Sequence, residues 1–191
     1  AVDFTGVAPE ELVASLREHA RAVFGPQIER TPGLLAFERR FDGLVDGYIE
    51  WLQQHAGGGW HWSGGEENHR RPIVLNTGRE VELIGRVDRV DTQADGRSRL
   101  LDYKARAADV LKRGLKSPGE DIQLPFYGLL LRRRPGSGEY VSFDRVREDT
   151  SGVQSVAPPG AFDELIDVVE ARLTADLQRI ADGVALPAIG A

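Results

Sequence analysis

The sequence has no cysteine and no methionine, and only three of its 24 basic residues are lysine (Lys104, Lys112 and Lys116). The missing cysteines exclude disulfides, thiolate metal sites and a cysteine nucleophile within these 191 residues. No apolar run approaches the roughly 18 residues that would span a membrane, so no membrane partner is expected. The opening residues, AVDFTGVAPE, lack the basic start and apolar stretch of a signal peptide. A cytoplasmic protein is expected, nucleoid-associated if bacterial. A chain that starts at Ala1 without any methionine is expected to be a fragment of a longer protein. Positive charge is also short: the formal net charge is −6. A protein that coats DNA would usually be basic. A metal-dependent enzyme, however, needs carboxylates, and a neighbouring domain can hold the nucleic acid.

Apolar residues make up 41% and charged residues 28%, enough for one domain with a hydrophobic core. Residues 9–24 read as a helix with Pro9 near its start and Leu12, Leu16, Val23 and Phe24 as a broken stripe. A second helix is expected over residues 32–56, where Leu34, Phe37, Phe41, Val45, Ile49 and Leu52 recur at helical spacing. Gly57-Gly58-Gly59 ends it. Short strands follow over 60–67 and 72–75, then a hairpin of strands 81–91 and 97–104 around the turn residues Ala94-Asp95-Gly96. Residues 105–118 read as a polar, basic connection, and 120–133 as a helix. A strand is expected over 140–146, a loop over 149–159 and an amphipathic helix over 162–180. This order describes an α/β fold, a mixed β-sheet flanked by helices. One domain is expected, with a helical part at 1–59 and a core at 60–191.

The chemistry sits on the hairpin. Asp88 lies seven residues before Asp95, and Asp102 seven after it. A turn centred on Asp95 sets the two acids opposite each other, with Cβ atoms about 4.5–5.5 Å apart. Lys104, two residues on, shares the face of Asp102. Two such carboxylates repel unless a cation lies between them. Mg²⁺ takes one or two carboxylates together with waters and substrate phosphate, and it can acidify a bound water. A lysine beside it can orient that water or stabilise the transition state. Acid and lysine at alternate positions also occur on ordinary solvated sheets. Here Leu100-Leu101 lead directly into Asp102, so the acid emerges from a buried strand.

Three stretches together, Gly85 to Asp91 (GRVDRVD), Leu100 to Lys104 (LLDYK) and Gln123 to Tyr127 (QLPFY), resemble the PD-(D/E)XK nucleases of the RecB-like exonuclease group. The resemblance implies a restriction-endonuclease-like α-β-β-β-α-β core. It also implies a Mg²⁺- or Mn²⁺-dependent DNA nuclease of exonuclease type, within a repair or recombination enzyme. Asp88 and Asp102 match the metal-binding acids, the Tyr103 backbone carbonyl a further ligand, and Lys104 the catalytic lysine. Gln123 and Tyr127 match a helix motif that supports the site and approaches DNA; they are i and i+4, on one helix face. The implied partners are DNA, as single-stranded ends, and a helicase domain or subunit, since no ATP-binding motif is present. Arg106 and Lys112, just beyond the lysine, are candidate phosphate contacts; a solvated loop is the alternative.

Departures from the pattern matter too. Active members carry a metal-reaching histidine in a G-x-x-x-H helix. None of His19, His55, His61 or His69 follows a glycine at that spacing, so that helix is expected upstream. An iron–sulfur cluster, held in some members by flanking cysteines, has a place only outside these residues. The rival function is a non-catalytic DNA-binding or scaffolding module that kept the fold. His61 and His69 with Glu66 and Glu67 match no metal-ligand spacing. Trp60 and Trp62 alternate, as base-stacking residues would, but sheet packing is the default. Gly57-Gly58-Gly59 lacks the lysine and hydroxyl of a phosphate loop.

Overall fold

In the computed structural model, residues 6–116, 121–144 and 152–184 are described. Helix α1 (Pro9–Arg30) runs past Gly25-Pro26, six residues beyond the stripe that marks it in sequence. A 3-10 turn (Pro32–Leu34) leads into α2 (Leu35–Asp42) and then α3 (Val45–Gly57). The single helix expected over 32–56 is therefore broken at Gly43-Leu44. The break separates two unlike faces. Helix α3 buries Val45, Ile49, Trp51, Leu52 and His55, whereas α2 buries nothing and leaves Phe37 62% exposed.

Strand β1 (His61–Val74) is one 14-residue strand, not the two short ones expected. Pro72, the first residue of the second expected strand, lies inside β1 although proline cannot donate to a ladder. Strand β1 lies at the sheet edge, where that loss is tolerated. It pairs antiparallel with β2 (Glu80–Thr92), with an irregularity between Trp62 and Gly64. Strand β2 pairs antiparallel with β3 (Ser98–Lys104). A crossover containing α4 (Ala108–Gly114) and α5 (Gln123–Leu130) returns the chain to β4 (Ser137–Phe143), parallel to β3. Helix α4 occupies the stretch expected to be only a connection. Strand β5 (Val153–Val156) occupies part of the expected loop and pairs with β4. Helix α6 (Phe162–Ala181) closes the fold. The sheet order is β1-β2-β3-β4-β5.

The sheet is covered on both faces, which is why the adjacent residues Leu100 and Leu101 of β3 are both apolar. Leu100 packs with Leu124, Leu129, Phe162 and Ile166 from α5 and α6. Its neighbour Leu101 packs with Leu44, Trp51 and Leu52 from the α3 side. Both leucines are fully buried. Helix α5 lies so close to β2 that a Cβ on Gly85 would stand 2.6 Å from Leu130 Cδ1 and 3.3 Å from the Phe126 ring. Gly85→Ala is expected to destabilise the fold by about 1–3 kcal/mol through overpacking. It should also displace Gln123 and Tyr127, which α5 carries. Urea denaturation at equilibrium measures the first effect; an unchanged midpoint would show that α5 shifts freely.

Candidate active site

The site lies where β2 and β3 part. Their ladder runs Thr92↔Ser98, Asp91↔Arg99, Val90↔Leu100 and Arg89↔Leu101, and no pair follows. One further step in that register sets Asp88 opposite Asp102, as the hairpin symmetry predicts. In place of another ladder bond, the Tyr103 backbone N–H donates to Asp88 Oδ2 at 3.2 Å. The fork thus supplies a half-buried acid on one arm and a buried one, Asp102, on the other.

Gln123, at the start of α5, ties the second arm together. Its Nε2 donates to Asp102 Oδ1 and to the Tyr127 hydroxyl, each at 2.9 Å. Its Oε1 accepts from Lys104 Nζ at 2.6 Å. One side chain therefore binds acid, lysine and tyrosine. The helix begins at Gln123, three residues later than expected, which places Pro125 in the first turn where its missing N–H costs no bond. Lys104 Nζ lies 2.5 Å from Asp102 Oδ2. That oxygen is buried and has no well-aligned hydrogen bond. Burial, opposed by Lys104 and reinforced by the charge of Asp88, pushes the Asp102 carboxyl up to about 6. A buried carboxylate oxygen whose close partner is the Lys104 ammonium, next to a second carboxylate, offers hard oxygen donors that fit a divalent cation.

Behind the fork is a buried polar network that the sequence motif did not reveal. Arg89 donates to Asp91 through Nε and Nη2, each at 2.8 Å. Its Nη1 reaches the Tyr103 hydroxyl at 3.0 Å. His55 Nε2, from α3, lies 2.6 Å from Asp91 Oδ2. Burial raises the Asp91 carboxyl, but hydrogen bonds from His55 and Arg89 outweigh it and hold it below its usual value. Arg89, His55 and Asp91 are all buried, Asp91 completely. The network grips the ring of Tyr103, whose backbone lies between Asp102 and Lys104.

The structure thus brings together Asp88, Asp102, Tyr103, Lys104, Gln123 and Tyr127. Arg106 and Lys112 are exposed, after β3 and on α4, and stand apart from the cluster's hydrogen bonds. Trp60 follows the packing expectation: it stacks on His55, and the Arg99 guanidinium lies 4.1 Å over its ring. Trp62 is 44% exposed. Among the described residues no three His, Asp or Glu side chains form a metal cage. His61, His69, Glu66 and Glu67 therefore make none, and His69 stands 3.9 Å from Glu67.

A groove of about 770 Å³ opens beside Asp88, and His19 of α1 lines it. His19 does not show the G-x-x-x-H pattern, because no glycine stands four residues before it. Ser15-x-x-x-His19 keeps the spacing with serine in that place.

A family model described as the PD-(D/E)XK nuclease superfamily matches residues 4–190. The chain belongs to that superfamily, and its five-stranded mixed sheet with flanking helices is the corresponding restriction-endonuclease-like fold. Nuclease-type function follows from that membership. A solved structure entitled "Crystal structure of SSO0001" is 17% identical, with 93% of this chain and 79% of that chain covered and a TM-score of 0.37. No curated protein matches the chain.

Proposed function

We propose that the protein is a metal-dependent deoxyribonuclease that hydrolyses phosphodiesters at single-stranded DNA ends. It would act as an exonuclease-type module of a cytoplasmic repair or recombination enzyme fed by a helicase domain or subunit. The described helical segment and sheet act as one nuclease unit, joined by the packing of α3 against the sheet. The observation that carries this reading is the Gln123 clasp. It holds Asp102, Lys104 and Tyr127 in one hydrogen-bonded set beside Asp88.

Asp88, Asp102 and the Tyr103 carbonyl are the residues that would hold Mg²⁺ or Mn²⁺; His19 lines the same groove as Asp88. Such an ion supplies a lowered water pKa and a counter-charge for the phosphoryl oxygens. Lys104 donates hydrogen bonds to the attacking water or to the phosphoryl oxygen that gains charge. Gln123 fixes the lysine and the acid relative to each other. Tyr127 continues the clasp towards the DNA strand. Arg106 and Lys112 serve as phosphate contacts at the exposed rim.

The test is incubation of end-labelled single- and double-stranded DNA with Mg²⁺, using the longest native form of the protein. Cleavage should require the metal, cease in EDTA and favour single strands. If a wild-type preparation binds DNA but cuts it no better than Asp102→Ala, the non-catalytic binding module is the correct description.

The position of Asp102 also sets a pH dependence. Its folded value, about 6, lies above the free value of 3.8. The metal-free fold therefore binds an extra proton between those values. This group's contribution to stability then falls as pH rises towards 6 and stays low above it. Metal binding needs the carboxylate, so it must displace that proton at lower pH. The Mg²⁺ concentration for half-maximal cleavage should rise about tenfold per pH unit below about pH 6. Above pH 7 it should be flat. A requirement for Mg²⁺ that is constant from pH 5 to 8 would show that Asp102 is not a ligand.

A further inference from the structure

We propose that the groove between α1 and the β1–β2 edge is a nucleobase subsite, in which Trp62 stacks on an unpaired base next to the cut phosphate. The inference deepens the nuclease assignment and depends on it. The groove has two chemically different parts. Leu12 and Leu16 of α1, Tyr48 of α3, Trp62 of β1 and Tyr103 of β3 form an apolar, aromatic part. Asp88, Glu66 and His19 form a polar one. Its volume, about 770 Å³, has room for a nucleotide. An apolar occupant such as a lipid tail or a hydrophobic helix would press against the Asp88 carboxylate without compensating it. A nucleotide matches both parts, because it joins a flat apolar ring to a phosphate that a cation at Asp88 would attract. In a duplex the faces of the base are stacked on its neighbours, so the base must be unpaired.

The strand is deformed at this point. The β1–β2 register shifts between Trp62 and Gly64. Glu66, with φ 57°, is the sole non-glycine residue in the left-handed region among the described residues. That conformation is strained for a residue with a side chain, and such strain gathers at functional sites and ligand clamps. Beside it, Gly65 lets β2 and the indole approach closely: a Cβ there would stand 2.5 Å from the Asp88 carbonyl oxygen and 3.4 Å from Trp62 Nε1. The indole therefore lies along bare backbone, next to the residue bearing the proposed metal ligand. The three tryptophans differ accordingly. Trp51 donates to Ser155 Oγ and is buried, Trp60 is covered by Arg99, and Trp62 is open.

The test is fluorescence anisotropy of a labelled thymidine oligonucleotide and of an abasic oligomer of equal length, binding to the full chain in Ca²⁺. Wild type should bind the thymidine oligomer about 5- to 150-fold more tightly, the contribution of one stacked base. Trp62→Ala should remove that preference, and Trp62→Phe should keep most of it. General damage to the fold would weaken both oligomers together and leave their ratio unchanged. Equal binding of the two by wild type overturns the subsite without the use of any variant, as does a preference that survives Trp62→Ala. The two assignments fail separately. Mg²⁺-dependent cleavage without base preference removes only the subsite. Base preference without Mg²⁺-dependent cleavage removes the nuclease, and with it the cut phosphate beside the base, and leaves only a base-binding groove.

Discussion

Lys104→Ala is expected to lower metal-dependent cleavage by about 100-fold or more, the usual loss when one preorganised donor to a developing charge is removed, with little change in metal affinity. The separation follows from the geometry. Lys104 Nζ bonds Gln123 Oε1 and pairs with Asp102, so it is a donor beside the carboxylates and not a ligand. Its removal leaves Asp88 and Asp102 free to bind a cation, and it takes away a positive charge that competes for Asp102. Metal binding should therefore be equal or slightly tighter in this variant. Asp102→Ala should lose both cleavage and metal binding. Single-turnover cleavage at saturating Mg²⁺, measured with metal titrations of the same proteins, separates the two effects. A Lys104→Ala protein whose rate is restored by extra Mg²⁺ would assign the lysine to metal binding.

The second large effect concerns stability. Arg89→Ala should destabilise the fold by about 3–5 kcal/mol, because it leaves Asp91 buried with one of its two partners gone. Asp91 is fully buried, and Arg89 makes two of the hydrogen bonds to its carboxylate. Asp91→Ala should cost a similar amount by leaving the Arg89 guanidinium unpaired. The double variant Arg89→Met/Asp91→Leu should recover part of the loss, since an apolar pair of similar volume removes the desolvation penalty of both charges, although His55 and the Tyr103 hydroxyl lose Asp91 and Arg89 as partners. Thermal or urea denaturation of the wild type, the two alanine variants and Arg89→Ala/Asp91→Ala gives the coupling directly, and the Met/Leu protein reports the recovery. Additive losses in the two single variants would mean that the charges are solvated and the pair is weak. A stable double variant would also show whether the grip of Arg89 on the Tyr103 hydroxyl matters for cleavage.

Much of the site was legible in sequence because it depends on local rules. The seven-residue symmetry about Asp95 fixed the hairpin register, and strand alternation placed Lys104 with Asp102. The i, i+4 spacing placed Gln123 with Tyr127. What stayed hidden depends on contacts between distant parts of the chain. His55 and Asp91 are 36 residues apart and on different elements; nothing in either segment marks them as partners. Asp91 was visible only as the last letter of GRVDRVD, and its burial comes from α3. His19 is brought to the groove by the packing of α1, and Ser15, not a glycine, stands four residues before it. Pro72 and the paired glycines of β1 resemble breaks in a strand. Only the position of β1 at the sheet edge, a property of the whole fold, makes them compatible with 14 continuous residues. The apolar periodicity of residues 32–56 is real, but Gly43-Leu44 divides it between an exposed helix and a buried one.

The central claim is that Asp88 and Asp102 jointly hold a divalent cation. Calorimetric titration of Mn²⁺ into the metal-free protein at pH 7.5 tests it most directly. The account predicts saturable binding in the wild type that is lost in both Asp88→Ala and Asp102→Ala and retained in Lys104→Ala. Undiminished Mn²⁺ binding by either aspartate variant, with the fold intact by circular dichroism, would contradict it.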